Sequence, residues 1–389
     1  MKTHLDYSWR EVKIVQSIIK FFKKPISSII FSVLFGFLVA MIILSVSGYN
    51  PFEAFYYMFS GIFARPKSIA NVIIKATPII LTGVSVAFAF KTGLFNIGAE
   101  GQYIVGTIAA VLVGTQLNLP AFIQIPVIIL CAMIAGGLLG AITGYLKAKF
   151  GIHEVITSIM FNWISLYLSN FVCNLEFIHK PNTTGTYPIN ESGLIVLLNN
   201  WKTSKEGIAK IKDNEFLVDV LLKTDLNFGI LIAIAVAILV SFMLYKTTKG
   251  FEFRSVGFNS TASMFSGINV KRNIVESMLV AGAISGLAGA VTIMGMAPHA
   301  ISTISVFENN GFNGLSVALI AGSSPIGCIF SGLLFSGLIF GGQSIQSELG
   351  APSEIINIMI GTIVFFVSLS SVFPRLVSML EKRQRRNDK

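Results

Sequence analysis

Apolar runs near the length needed to cross a bilayer's hydrocarbon core, about 20 residues as a helix, recur from residue 26 to residue 373. No other feature constrains the fold as tightly. The runs read as spans over 26–48, 69–90, 103–116, 122–146, 153–173, 227–245, 274–297, 313–322, 326–343 and 354–373. Backbone inside lipid must satisfy its own polar groups, so the expectation is an all-α polytopic membrane helix bundle of about ten spans. With 53% apolar and only 12% charged residues, a soluble globular chain of this length is excluded. Cys131, Cys173 and Cys328 lie in or at the ends of apolar segments, without metal-like spacing. They read as small core residues, and no metal site is expected.

A net charge of +10 could suggest nucleic acid, but the basic residues sort by side instead. With the N-terminus inside, 20 of the 29 Lys and Arg fall on the inner side and 8 on the outer, and Lys75 lies within a span. This bias predicts cytoplasmic N- and C-termini in a cell-membrane protein and argues against a nucleic-acid partner. Residues 1–25 read as a basic amphipathic helix lying on lipid headgroups, with Val12, Val15, Ile19 and Phe22 on one face. The membrane domain is expected over 26–375, with a long outer loop at 174–226 and a cytoplasmic loop at 246–273. A basic tail occupies 376–389. The first run lacks a small-residue cleavage site and reads as a retained helix.

The cytoplasmic loop contains a short helix signal. Asn259 is placed to cap it, Ala262, Met264 and Phe265 give it an apolar face, and Gly267 is placed to stop it. A compact helix with exposed Met and Phe beside a membrane suits a groove on a soluble partner.

Two stretches resemble each other. Residues 71–98 begin Asn-Val and end around Phe95-Asn96, and residues 273–314 begin Asn-Ile and end around Phe312-Asn313. Their spans run in opposite directions, which predicts an inverted-topology repeat with broken helices near 93–103 and 298–314. On this reading Phe95-Asn96 lies near the inner side and Phe312-Asn313 near the outer. Asn96, Glu100, Gln102 and Asn162 are polar groups where lipid is expected, so each must face protein, water or a solute. They are candidates for a translocation path, or for hydrogen bonds that hold helices together. Lys75 is expected to snorkel outward, and Glu276 to reach the inner surface or pair with Arg272.

Enzyme signatures fail at specific positions. His153-Glu154 opens like a zinc protease motif, but residue 157 is Thr. Residues 322–327 have phosphate-loop glycine spacing, but Cys328-Ile329 stands where Lys and Ser/Thr are needed. No catalytic residue is expected, and any ATP must be handled by another chain.

The stretches KTGLFNIGAEGQ (91–102), HEVITSIMFNWI (153–164), TKGFEFRSVGFNSTASMFSGINVKRN (248–273) and FNGLSVALIAG (312–322) closely resemble permeases of bacterial ABC importers. The likeness is to the simple-sugar and branched-chain amino acid group, and within it to nucleoside-import permeases. It extends from about residue 30 to 375. It implies a cytoplasmic ATPase that binds the ATP, a second, shorter permease and an extracellular or lipoprotein substrate-binding protein. It also implies that the cytoplasmic loop carries a coupling helix, with the match at Gly250, Phe251, Glu252, Arg254, Gly257, Asn259, Ala262 and Gly267. The basic N-terminal extension and the polar outer loop depart from the family pattern. A secondary transporter driven by an ion gradient is the alternative expectation, since an inverted repeat and Glu100 would serve that as well.

Overall fold

The computed structural model describes residues 25–369. The expected interfacial helix at 1–25, apart from its last residue, and the tail at 376–389 lie outside them, as does the end of the 354–373 span. Among the described residues helices dominate, and the only β pairing is three isolated bridges, His179 with Thr186, Gly185 with Ser302 and Val196 with Asn227. The elements are α1 (Pro25–Val46), α2 (Pro51–Phe63), α3 (Pro66–Lys91), α4 (Ala99–Gln116), α5 (Ala121–Phe150) and α6 (Glu154–Cys173). After the 174–226 loop and its short helical turns come α7 (Gly229–Lys246), α8 (Thr248–Phe258), α9 (Ser260–Phe265), α10 (Val270–Gly295), α11 (Asn310–Ile320), α12 (Gly327–Leu349) and α13 (Ser353–Ser368). The chain divides into two compact units, one of residues 59–340 and one of the flanking residues.

In the larger unit, α3 and α10 form the interior. Beyond their charged first turns both are largely apolar and buried over most of their length, as a helix without a solvent face must be. Small residues let α5 lie directly on α10: a Cβ at Gly136 would sit 2.8 Å from the Gly286 Cα, so only glycine permits this approach. The outer faces of α5, α6 and α7 leave Leu138, Met160 and Phe242 exposed, which is the lipid-facing pattern. In the flanking unit, α1 packs on α13, with Phe35 edge-on to Phe366 at 4.8 Å.

Among the described residues, six helices are long and apolar enough to cross a membrane: α3, α5, α6, α7, α10 and α12. Shorter apolar helices cover Ile30–Val46 and Ser353–Ser368. The chain is therefore a multi-pass membrane protein. At 11 residues, or about 16 Å at the usual rise, α11 reaches only halfway through a bilayer. Irregular chain at 92–98 and 296–309 precedes α4 and α11. One helix, α2, falls in the stretch read as a connector. Its apolar residues Phe52, Tyr56, Phe59 and Phe63 share one face, but 13 residues are too few to register as a span.

Candidate functional site

Three places in the larger unit gather the chemistry. The first is a buried polar node where α4 begins. Glu100, with no exposed surface, sits in the first turn of α4. One carboxylate oxygen accepts the Asn309 N–H at 2.9 Å, and the other accepts those of Gly311 at 2.6 Å and Phe312 at 3.3 Å. A carboxylate facing the free N–H groups of a helix start is electrostatically favoured, so Glu100 closes the N-terminus of α11 from another helix. Gly311 is needed there, since a Cβ would lie 2.5 Å from the Glu100 Cα.

Around it, Asn96 and Gln102 exchange side-chain hydrogen bonds at 2.9 and 3.2 Å, and Asn96 also donates to Ser85. Asn162 accepts the Gly101 N–H at 2.8 Å and donates to the Ile97 carbonyl at 3.1 Å. The node thus ties the irregular segment 92–98 to α3, α4 and α6. The starts of α4 and α11 meet through Glu100, while Asn96 bonds to Ser85 of α3 and Gln102 of α4. Asn313 does not join the node; its backbone N–H continues the turn from Asn309. Phe312 stands in an aromatic row with Phe307 at 5.6 Å and, beyond it, Trp163 at 4.8 Å from Phe307. Phe95 pairs elsewhere, with Phe90 at 5.1 Å.

The second place is a cavity of about 230 Å³ between α4, α6, α10 and the 296–310 segment. Its polar lining includes Tyr103, Thr107, Ser169, Thr292, Glu308 and Asn310. The Tyr103 hydroxyl lies 3.1 Å from a Glu308 oxygen and 2.9 Å from the Asn310 amide, so these three side chains form one fixed group. The 174–226 loop closes over its wall, with the Thr186 N–H on the Ile301 carbonyl at 2.9 Å and the Thr303 N–H on that of Thr184 at 2.9 Å.

The third is the hairpin of α8 and α9. Thr247 caps α8 through the Gly250 N–H at 3.0 Å. Gly250 packs against the Met243 and Leu244 carbonyls, and Gly257 against the backbone of Lys91 to Gly93, so neither site has room for a Cβ. Arg254 donates to the Leu244 carbonyl at 2.9 Å and its guanidinium lies over the Tyr245 ring. Glu252 accepts from Lys249 at 3.0 Å and from Asn273 at 3.1 Å, and these bonds hold its carboxyl below the usual range. Lys249 also meets Glu276 at 2.6 Å, as does Arg272. Partial burial disfavours the Lys249 charge, but the bonds to Glu276 and Glu252 outweigh it and raise its pKa.

Asn259 caps α9, accepting the Ala262 N–H at 3.0 Å, and Gly267 follows with φ of 83°, a left-handed turn suited to glycine. What remains uncovered is apolar: Phe251, Phe258, Met264 and Phe265 are exposed, Phe258 by 95%. Gly250, Glu252, Arg254 and Gly257 thus anchor the hairpin to α3, α7 and α10, and the large apolar side chains form its free tip.

Several residues of these places escaped sequence reasoning. Glu154, read only as part of a failed zinc motif, is buried, pairs with Lys147 at 2.6 Å and accepts the Phe95 N–H at 3.3 Å. Opposite charges flanking the tight turn at Gly151 were the available signal. Tyr103 and Glu308 are 205 positions apart, and no local pattern links them. Lys75 lies with its ammonium 5.5 Å from the Phe340 ring centroid.

A family model described as "Branched-chain amino acid transport system / permease component" matches residues 68–368. The guanosine ABC transporter permease protein NupP of Bacillus subtilis is 37% identical over 352 residues, covering 90% of this chain and 95% of that protein. The nucleoside ABC transporter permease protein NupB of Lactococcus lactis is 35% identical, covering 88% of this chain and 90% of its own. A glucose ABC transporter permease protein, TsgB13 of Haloferax volcanii, is 27% identical over 90% of this chain and 88% of its own. With the family match spanning most of the chain and these identities near full length, the chain belongs to the family of branched-chain amino acid transport system permease components.

Proposed function

We propose that the chain is the permease subunit of an ABC importer that takes up nucleosides. The observation that carries the substrate is the 37% identity, over 90% of the chain, to a permease named for guanosine. The reading carries the family's logic with it. A separate cytoplasmic ATPase binds the ATP, a second permease completes the path, and an extracellular binding protein delivers solute. This chain contributes no cofactor and no catalysis of its own. In this reading the chain crosses ten times as an inverted repeat, with the irregular segment 296–309 completing the crossing of the short α11; both termini and the α8–α9 hairpin then lie at the inner face.

The geometry supports a division of labour. The hairpin's anchors transmit force: α8 lies against the end of α3 through Gly257 and against α10 through Glu252, Lys249 and Glu276. Its apolar tip, Phe258, Met264 and Phe265, fits the ATPase. Movement of α3 and α10 then reaches the node at Glu100 and the cavity at Tyr103, which border the path. The ion-gradient alternative is separated from this reading by the need for an ATPase. Radiolabelled guanosine uptake in cells expressing the chain with its importer tests the reading. Uptake is expected to be lost on deletion of the chain or on inactivation of the ATPase. Uptake that persists without the ATPase would overturn it.

A further inference from the structure

Where α5 ends and α10 begins, the surface holds a recess of about 360 Å³ lined by Tyr145, Lys149, Asn269, Lys271, Arg272 and Val275. It is separate from the polar node and the cavity. Lys149 donates to the Tyr145 hydroxyl at 2.7 Å, and its ammonium stands 5.2 and 5.5 Å from the Tyr145 and Phe150 ring centroids. Arg272 is paired with Glu276, whereas Lys149 and Lys271 make no ion pair among the described residues. The recess also adjoins the first turn of α10, whose aligned peptide dipoles add positive potential. It therefore offers two unneutralised ammonium groups in a concave, aromatic-walled site.

From its lip an apolar stripe follows α5. Leu130, Ile134, Leu138 and Ile142 recur every fourth residue, so they share one face, and each is about half exposed. The stripe leads directly to Tyr145. A cationic recess at the head of a lipid-facing track matches an amphiphile with an anionic head and apolar tails. Free phosphate would use the recess but leave the track idle, and a zwitterionic lipid would use the track but bring no net charge.

We infer that this recess binds the phosphate headgroup of an anionic phospholipid whose acyl chain lies along α5. Lys149 and Lys271 receive the phosphate, and the stripe from Leu130 to Ile142 receives the chain. The bound lipid would hold the α5–α10 seam beside the ion pairs that anchor the hairpin.

The test is native mass spectrometry of the full-length chain in mild detergent, titrated with phosphatidylglycerol or phosphatidylcholine of matched chains. The wild type is expected to retain phosphatidylglycerol in preference. Lys149→Gln with Lys271→Gln should lower that preference about tenfold or more, the order expected for two basic residues near an anionic surface. Lys149→Arg with Lys271→Arg should keep it. Lys91→Gln with Lys246→Gln, equal in charge change but outside the recess, should also keep it. Two results would overturn the inference. One is equal loss in both Gln pairs, which would mean diffuse attraction only. The other is full displacement of the lipid by an equal concentration of inorganic phosphate, which would mean a free-anion site.

Discussion

Glu100 shows how much one side chain is asked to do. Its carboxylate takes the N–H groups of Asn309, Gly311 and Phe312, none of which has an acceptor within α11. Replacing it with Ala leaves those donors without this partner, and the buried Gly311 N–H alone costs roughly 1–3 kcal/mol when unsatisfied. Glu100→Ala is therefore expected to lower the thermal unfolding temperature in detergent sharply, and Glu100→Gln, which keeps one acceptor oxygen, to lower it less. An unchanged midpoint in the Ala variant would remove Glu100 from its role. At the hairpin, Glu252 has a depressed folded pKa, so its contribution is present above the unfolded carboxylate value, roughly 4.3, and is lost as pH falls through the lower folded value. Lys249 has a raised folded pKa, so its contribution holds below the unfolded value, roughly 10.4, and is lost as pH rises through the higher folded one. The cluster should thus be insensitive to pH between about 6 and 9. Glu252→Gln should flatten the acid limb of a stability–pH curve without altering that plateau.

At the scale of elements, the α8–α9 hairpin separates anchoring from docking. Gly257→Leu forces a side chain into the Lys91 to Gly93 backbone and must displace α8. Uptake should fall to background while the ATPase still hydrolyses ATP, measured as hydrolysis no longer matched by transport. Phe258→Asp with Phe265→Asp changes only exposed groups, so thermal stability should stay within about 0.5 kcal/mol of wild type. Co-purification of the ATPase should nevertheless be lost, and retention of the ATPase would contradict the docking role. The short helix here was legible in sequence because capping and stopping are local: Asn259, Ala262 and Gly267 stand within one turn or two of each other. The anchoring role of Gly257 was not, since its reason is the backbone of a helix more than 160 positions away. For the same cause, Glu100 read as a polar group in search of a partner, and only the fold supplies Gly311. The helix α2 was missed because aromatic residues at helical spacing over 13 positions give no span signal.

Across the whole molecule, hydropathy was enough to read a multi-pass helical chain, because lipid leaves the backbone few alternatives. Distant pairing was harder to read: Glu100 of α4 meets the backbone of Asn309, Gly311 and Phe312, more than 200 positions away. The account makes one demand on the molecule above all: the hairpin must face the cytoplasm and be covered there by a nucleotide-hydrolysing partner. Labelling of Phe265→Cys with a membrane-impermeant maleimide, after Cys131, Cys173 and Cys328 are replaced by Ser, measures this directly. Modification is expected in inside-out vesicles only, and is expected to fall when the ATPase subunit is present. Modification from the extracellular side, or equal labelling with and without the ATPase, would contradict the account.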